Sequence, residues 1–137
     1  MKRILLKPSL DKGLLALRLL AAFALIRAHG LPKLLHLQET INHIPDPFGF
    51  GSTFSTFYAI FTNVVCALFV ALGLFTRISA AFILGLTLTG LVFIHLQDGV
   101  KIQDTPLIYS AIFGFIAYVG GGYYSLDYRL KTKNYEI

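Results

Sequence analysis

Four long apolar runs dominate the chain, at about residues 10–28, 54–75, 78–96 and 106–123. Each is close to the roughly 20 residues that a helix needs to cross the hydrocarbon core of a bilayer, and none shows the alternation of a barrel strand. Only 14% of the residues are charged, whereas soluble domains carry about 25%. The sequence therefore predicts one membrane domain over residues 1–137, an all-α, antiparallel bundle of four transmembrane helices.

The distribution of lysine and arginine predicts how the bundle is oriented. The amino-terminal tail, the turn at Arg77 and the carboxyl-terminal tail carry eight basic residues, whereas the two opposite loops carry only Lys33 and Lys101. Loops rich in lysine and arginine stay in the cytoplasm, so both termini are predicted to be cytoplasmic. Because the basic residues flank the apolar block, the net charge of +5 indicates a bilayer as partner and argues against nucleic-acid binding.

The loop between the first two apolar runs is long and contains three prolines. Its segment from Lys33 to His43 is predicted to form a short interfacial helix that begins near Pro32, since proline suits a first helical position. Pro45 is expected to end that helix, because the residue before a proline avoids the helical conformation.

Small residues at intervals of four predict close helix packing. They occur in three of the apolar runs: Ala59, Asn63, Ala67 and Ala71; Ala81, Gly85 and Thr89; and the two pairs Ser110 with Gly114 and Ala117 with Gly121. The single cysteine, Cys66, lies in an apolar run and is interpreted as another small packing residue.

The first apolar run contains an arginine, Arg18, that needs a partner or a polar cavity if it is buried. His29 follows eleven residues later on the same helical face, about 16 Å away, whereas Arg27 points to the opposite side. Two interpretations stay open. Arg18 and Asn63 form a buried polar clasp that sets the register of two helices, or Arg18 anchors an anion or a quinone headgroup within the bundle.

All four histidines and most acidic residues fall on the predicted outer half of the chain. His29 ends the first apolar run and His95 ends the third, so both are expected at the same depth. Histidines beside Asp98 or Asp104 can accept a proton from a quinol or a thiol, since imidazole titrates near neutrality. These four residues are the catalytic candidates, and the predicted ligand-binding residues are Arg18, His29, Lys33, Asn63 and His95.

Two other interpretations of these histidines compete with the first. Imidazole nitrogens bind divalent metals, and the candidates for a metal site are His29, His36 and His95, although no metal site is predicted. In the remaining interpretation the histidines only bond to loop carbonyls at the membrane interface.

Several short motifs resemble those of the DoxX family of small four-helix membrane proteins. The first is Gly73–Ala80 (Gly-Leu-Phe-Thr-Arg-Ile-Ser-Ala) at the inner turn. Leu17–Leu19 (Leu-Arg-Leu) and His29–Lys33 (His-Gly-Leu-Pro-Lys) provide two more. Gly120–Asp127 (Gly-Gly-Gly-Tyr-Tyr-Ser-Leu-Asp) is similar to the family's terminal motif. Their order and spacing extend the resemblance over residues 14–130.

The resemblance implies a bundle in the cell inner membrane and an association with oxidoreductase systems. Relatives include a small subunit of a thiosulfate:quinone oxidoreductase and a membrane partner of a superoxide dismutase and a sulfurtransferase. Members often carry a glutamate ten residues before the glycine of the inner turn, and Asn63 occupies that place here. If the glutamate neutralises the arginine of the first span, this chain replaces an ion pair with a hydrogen bond.

Two functional hypotheses follow. In the first, the protein is a redox-associated membrane subunit that binds a quinone or another small hydrophobic molecule near its outer face and acts with a partner protein or a second copy. In the second, it is a non-catalytic scaffold, chaperone or small carrier that contacts partner helices through the polar stripe of Arg18 and His29 on its first helix. The sequence has no nucleophile constellation, nucleotide motif or cysteine pair, so whether it is an enzyme stays open; if it is, it is a component of an oxidoreductase.

Overall fold

A computed structural model describes residues 8–134, and the regular secondary structure of these residues is entirely helical. Four helices are long and apolar enough to cross a membrane, and we call them the first to fourth spans: Ser9–Leu35, Ser52–Leu72, Thr76–Ile94 and Val100–Val119. A loop helix, Leu37–His43, and a terminal helix, Leu126–Lys133, complete the fold. The predicted all-α bundle of four spans is confirmed. Lys2, Arg3 and Lys7, which contribute to the predicted orientation, lie outside the described residues.

The apolar core takes side chains from all four spans. Its fully buried members are Ala22, Leu25, Cys66, Ala67, Val70, Ala80, Ile83, Phe113 and Ile116. The longest contact between two helices joins the third and fourth spans, and the first span packs against the second.

Each of the first three spans contains one π-helical segment. These segments are Ile26–Gly30, Phe61–Cys66 and Gly90–Ile94. The α-helical parts that adjoin them are Pro8–Leu25, Leu31–Leu35, Ser52–Ile60, Ala67–Leu72 and Thr76–Thr89. A π turn places one extra residue in a helical turn, and such turns are frequent at functional sites.

The first span is longer than the sequence predicts. It continues beyond residue 28 because the π segment is followed directly by the α-helical turn Leu31–Leu35. The Leu31 N–H bonds to the carbonyl of Ile26, five residues back. Pro32 is therefore inside this helix and does not begin the loop helix, which starts only after His36 breaks the backbone at φ −121° and ψ 50°. Ile44, before Pro45, is extended as predicted.

The turn between the second and third spans lies at Gly73–Phe75, a few residues earlier than predicted. Gly73 takes φ +74°, and its N–H bonds to the carbonyl of Val70 while the Leu74 N–H bonds to that of Phe69. This is a Schellman motif, which closes a helix through a left-handed glycine. Thr76 consequently begins the third span and is not part of the turn.

The fourth span begins at Val100 and ends at Val119, whereas the sequence predicts 106–123. Its polar first turns are stabilised by Gln103, whose amide donates to the carbonyls of Leu96 and Asp98. Pro106 is accommodated inside the helix. The helix stops where Gly120 adopts φ +89°, a conformation that continues no helix.

The predicted packing stripe of the third span is wrong. Ala81 and Gly85 are exposed, and the buried face carries Ser79, Ala80 and Ile83 instead. In the second span the stripe does face inward, since Ala59, Asn63 and Ala67 are buried. In the fourth span Ser110 is buried, and Gly114 and Ala117 are half-buried.

Candidate functional site

A partly open cavity of about 790 Å³ lies at the end of the bundle that carries the two loops, and we call it the loop-side cavity. All four spans and the first loop contribute to its wall. The polar and titratable residues of the wall are His29, Lys33, Ser55, Tyr58, Asn63, Thr87, Thr89, His95, Thr105 and Tyr109. Four of the five predicted ligand-binding residues are thus brought together here.

The three π segments border this cavity. His29 belongs to the first, Asn63 to the second, and Gly90 with Ile94 to the third. At Gly30 the first span approaches the second so closely that an added Cβ would lie 2.8 Å from the carbonyl oxygen of Asn63. The first and second spans therefore touch at their π segments, and the cavity lies beside this contact. Hydropathy carries no signal for this irregularity, so the sequence did not reveal it.

Asn63 is 3% exposed, and its side-chain oxygen has no hydrogen-bond partner among the described residues. Leaving a buried acceptor unsatisfied costs roughly 1–3 kcal/mol. Because Asn63 is part of the cavity wall, a group that occupies the cavity can satisfy its carboxamide, which offers both a donor and an acceptor.

Lys33 and His29 form the polar wall of the first span. The Lys33 ammonium donates a hydrogen bond of 2.8 Å to the carbonyl of His29, which leaves two of its three donors for another partner. The His29 ring packs edge-on against the Tyr109 ring of the fourth span, with ring centroids 5.6 Å apart. Within residues 8–134 the His29 ring nitrogens form no hydrogen bond, so they too are available to a ligand.

His95 lies in the cavity wall and is held by Asp98. Its Nδ1 is 2.7 Å from a carboxylate oxygen of Asp98, an arrangement that fixes the ring and leaves Nε2 free to accept a proton. Asp98 itself lies outside the wall. Asp104, the other predicted carboxylate, is exposed and not part of the cavity.

Aromatic side chains form much of the apolar wall. Phe48, Phe50 and Phe54 line the cavity, and the Phe48 ring packs on Phe93 of the third span with centroids 5.3 Å apart. The carboxylate of Asp46 holds this part of the loop, since it accepts hydrogen bonds from the N–H groups of residues 50 and 51 and from the Ser55 hydroxyl.

Small residues of the third span widen the cavity. A Cβ added at Gly85 or Gly90 would meet nothing within 4 Å, and both glycines line the wall together with Thr89. Two members of the predicted packing stripe thus face this space and not a neighbouring helix. At the same level the Ser110 hydroxyl lies 2.9 Å from that of Thr87 and joins the last two spans.

Arg18 is not part of this site. It is fully buried at the opposite end of the bundle, where its guanidinium donates to the carbonyls of Val70 and Tyr124 at 3.1 and 2.9 Å. Val70 lies in the last turn of the second span, where the helix dipole places negative charge, and Tyr124 lies in the turn that follows the fourth span. Backbone oxygens therefore take the place of the predicted hydrogen bond to Asn63, which is not formed.

Asp127 completes this second polar centre, which we call the terminus-side junction. Its carboxylate accepts hydrogen bonds from the Phe75 and Thr76 N–H groups, each 2.8 Å long, and from the Thr76 hydroxyl. Its own N–H bonds to the carbonyl of Gly73. The sequence singled out the motif that contains Asp127 but gave the residue no role, although an acidic residue just after a glycine-rich turn was the available signal.

The metal candidates do not form one cluster. Among residues 8–134, no group of three histidine, cysteine, aspartate or glutamate side chains is placed to hold an ion. His29 and His95 both line the cavity, whereas His36 is exposed and its Nδ1 lies 3.9 Å from Glu39. Tyr58 contributes to the cavity wall although the sequence did not single it out.

A comparison with protein-family models finds a match to the DoxX model over residues 13–96. The chain belongs to the DoxX family. The match covers the first three spans from residue 13 onward, with the loop helix and the turn between the second and third spans, and ends before the fourth span. The terminal motif Gly120–Asp127, which the sequence resemblance included, lies beyond it. Neither the comparison with curated proteins nor the comparison with solved structures finds a match.

Membership of the DoxX family makes this a membrane protein with apolar transmembrane helices. Within the matched range lie Arg18 and the cavity residues His29, Lys33, Asn63 and His95. Tyr109 and the other fourth-span residues of the cavity wall come from the part of the chain that the DoxX model does not cover.

Proposed function

We propose that this DoxX protein is a redox-associated membrane subunit that binds a quinone-like or other small hydrophobic ligand in the loop-side cavity and acts with a partner protein. The observation that carries the proposal is the unpartnered side-chain oxygen of Asn63, buried in the wall of a cavity of about 790 Å³. That volume lies within the roughly 300–1,000 Å³ of small-molecule sites, which combine apolar walls with a few polar groups.

The chemistry of the wall supports a ligand with a flat apolar ring and polar oxygens. The rings of Phe48, Phe54 and Tyr109 offer faces and edges for an aromatic ligand. A carbonyl oxygen of a quinone can accept a hydrogen bond from the Lys33 ammonium, and a hydroxyl of the reduced quinol can donate one to the unpartnered Asn63 oxygen. An ion, by contrast, would leave the aromatic part of the wall without a partner.

His95 and Asp98 support a role in proton transfer. When a bound quinol is oxidised, its two hydroxyl protons must leave together with two electrons. The free Nε2 of His95 accepts one proton in this proposal, and Asp98 stabilises the imidazolium that forms, while the second proton leaves to water at the open mouth of the cavity. The electrons pass to the redox group of the partner protein, so the activity belongs to the complex.

The orientation of the bundle is part of the same proposal. Both termini lie in the cytoplasm of a cell whose inner membrane holds the protein, and the loop-side cavity opens near the outer face. The basic residues of the tails and of the Arg77 turn support this orientation, since the loop side carries only Lys33 and Lys101.

The test is mass spectrometry of the small molecules that the full chain retains after purification in a mild detergent. Wild type is compared with His29→Ala, and His36→Ala serves as a matched control because His36 is exposed and outside the cavity. We expect a quinone or a related molecule in wild type and in His36→Ala and its loss from folded His29→Ala. Clean protein with a stoichiometric co-purifying polypeptide would instead support the scaffold, chaperone or carrier hypothesis.

A further inference from the structure

A second cavity, of about 590 Å³, lies at the terminus side of the bundle, on the surface between the inner turn and the terminal helix. We call it the terminus-side cavity. Its wall combines two cationic side chains, Arg77 and Lys131, with the exposed apolar residues Phe75, Ile78 and Leu130. Neither the family nor the proposed function assigns a role to this cavity.

Arg77 is positioned for an external anion. One of its five N–H donors bonds to the carbonyl of Val119 at 3.3 Å, and Gly120 leaves room for the guanidinium, since an added Cβ would lie 3.0 Å from Nε. Among residues 8–134 neither Arg77 nor Lys131 forms an ion pair with a carboxylate. Arg77 is therefore anchored at the cavity and Lys131 is exposed there, and no carboxylate of the described residues neutralises either charge.

The one carboxylate in the wall, Asp127, is already engaged. Its two oxygens accept three hydrogen bonds from Phe75 and Thr76, as described above. Asp127 therefore caps the third span and joins the terminal helix to the start of that span, the two elements that flank the cavity. The charges in the wall, two cations and one carboxylate, leave a net positive balance.

The apolar rim decides between a lipid and a free anion. Phe75 and Ile78 are each 59% exposed at the start of the third span, where they can contact lipid chains. A free phosphate makes no favourable contact with these apolar side chains, whereas a phospholipid places its headgroup against the cations and its acyl chains against the apolar rim. We propose that the terminus-side cavity binds the headgroup of an anionic phospholipid in the leaflet on the side of the termini.

The terminal helix supplies a matched control. Arg129 and Lys133 lie on the same helix as Lys131, but neither lines the cavity. Substitution of both by glutamine removes the same charge as R77Q with K131Q. General attraction of basic residues to an anionic membrane would respond equally to both pairs, whereas a site responds only to the pair in its wall.

The experiment is native mass spectrometry of the full chain in detergent, titrated with phosphatidylglycerol or with phosphatidylcholine of the same acyl chains. We expect one retained phosphatidylglycerol per chain, bound at least roughly tenfold more tightly than phosphatidylcholine. R77Q/K131Q should lose this preference and R129Q/K133Q should keep it. Circular dichroism checks that each variant is folded. If R77Q/K131Q does not fold, K131Q alone is used in its place, because the Lys131 side chain is exposed.

Three results would overturn the proposal. They are equal retention of the two lipids, an equal loss in R77Q/K131Q and R129Q/K133Q, and displacement of the lipid by inorganic phosphate at equal concentration. None of them bears on the loop-side cavity, which lies at the other end of the bundle.

Discussion

The guanidinium of Arg18 donates a 2.9 Å hydrogen bond to the carbonyl of Tyr124, 106 residues later in the chain. The same side chain bonds to the carbonyl of Val70 at the end of the second span. A single buried cation therefore ties the first span to the second and to the segment that follows the fourth. Arg18 stabilises the bundle at the end that lacks the loop-side cavity.

Arg18→Lys is expected to destabilise the protein by roughly 2–3 kcal/mol, since a buried polar network loses part of its hydrogen bonds. Lysine keeps the charge, but its compact ammonium cannot reproduce the planar fork that reaches both Val70 and Tyr124. The thermal midpoint in detergent measures the effect. Arg27→Lys, at an exposed position of the same span, is the control and should change little. Equal midpoints for the two variants would contradict the role of Arg18.

Gly73→Ala is expected to destabilise the protein by about 2–4 kcal/mol. Alanine disfavours φ +74°. Its Cβ would also contact the Arg18 guanidinium and lie 2.5 Å from the Cβ of Ser125. Gly13→Ala is the matched control, because a Cβ there meets nothing within 4 Å in a helix interior. It should leave stability unchanged or raise it slightly. Urea-induced unfolding in mixed micelles compares the two, and a tolerated Gly73→Ala would show that the close approach to Arg18 is not needed.

Hydropathy and the spacing of polar residues predicted much of the fold. Apolar length located the four spans. The eleven-residue spacing of Arg18 and His29 correctly placed both on the side of the first span that faces the bundle. The ends of the spans were less accurate because capping depends on other parts of the chain. The carboxylate that caps the third span comes from Asp127, 51 residues beyond Thr76.

The sequence named most of the polar residues that meet at the candidate site, but not the backbone features that form its cavity. His29, Lys33, Asn63 and His95 meet in one cavity because they lie at similar depth in three different spans. The sequence also placed Arg18 there, although a helix rise of 1.5 Å per residue separates it from His29 by about three turns. The cavity itself depends on the π segments and on two glycines of the third span, Gly85 and Gly90. The sequence placed Gly85 in a packing stripe and gave Gly90 no role.

Gly90→Leu is expected to fill part of the loop-side cavity and to reduce ligand retention at least severalfold with little loss of stability. A side chain at Gly90 enters open space, so it need not clash with the core. Ala81→Leu, at an exposed position of the same span outside the cavity, is the control and should retain the ligand. Quantification of the extracted ligand per protein checks this. Equal retention in both variants would place the ligand elsewhere.

The orientation of the bundle predicts which loops an impermeant maleimide can reach. In a Cys66→Ser background, a cysteine introduced at Gln97 should react in intact cells, and one introduced at Asn134 should react only after the membrane is opened. Cys66 is the only native cysteine, so its replacement removes background labelling. The reverse labelling pattern would place the loop-side cavity at the cytoplasmic face.

The proposed ligand site is tested most directly by photoaffinity labelling of the full chain in membranes with a photoreactive quinone analogue, followed by peptide mapping. The cavity predicts that labels concentrate on Phe54–Asn63 of the second span and Thr87–His95 of the third, and that excess unlabelled quinone removes them. Labels scattered over the lipid-facing surfaces, or labels that unlabelled quinone does not displace, would contradict it.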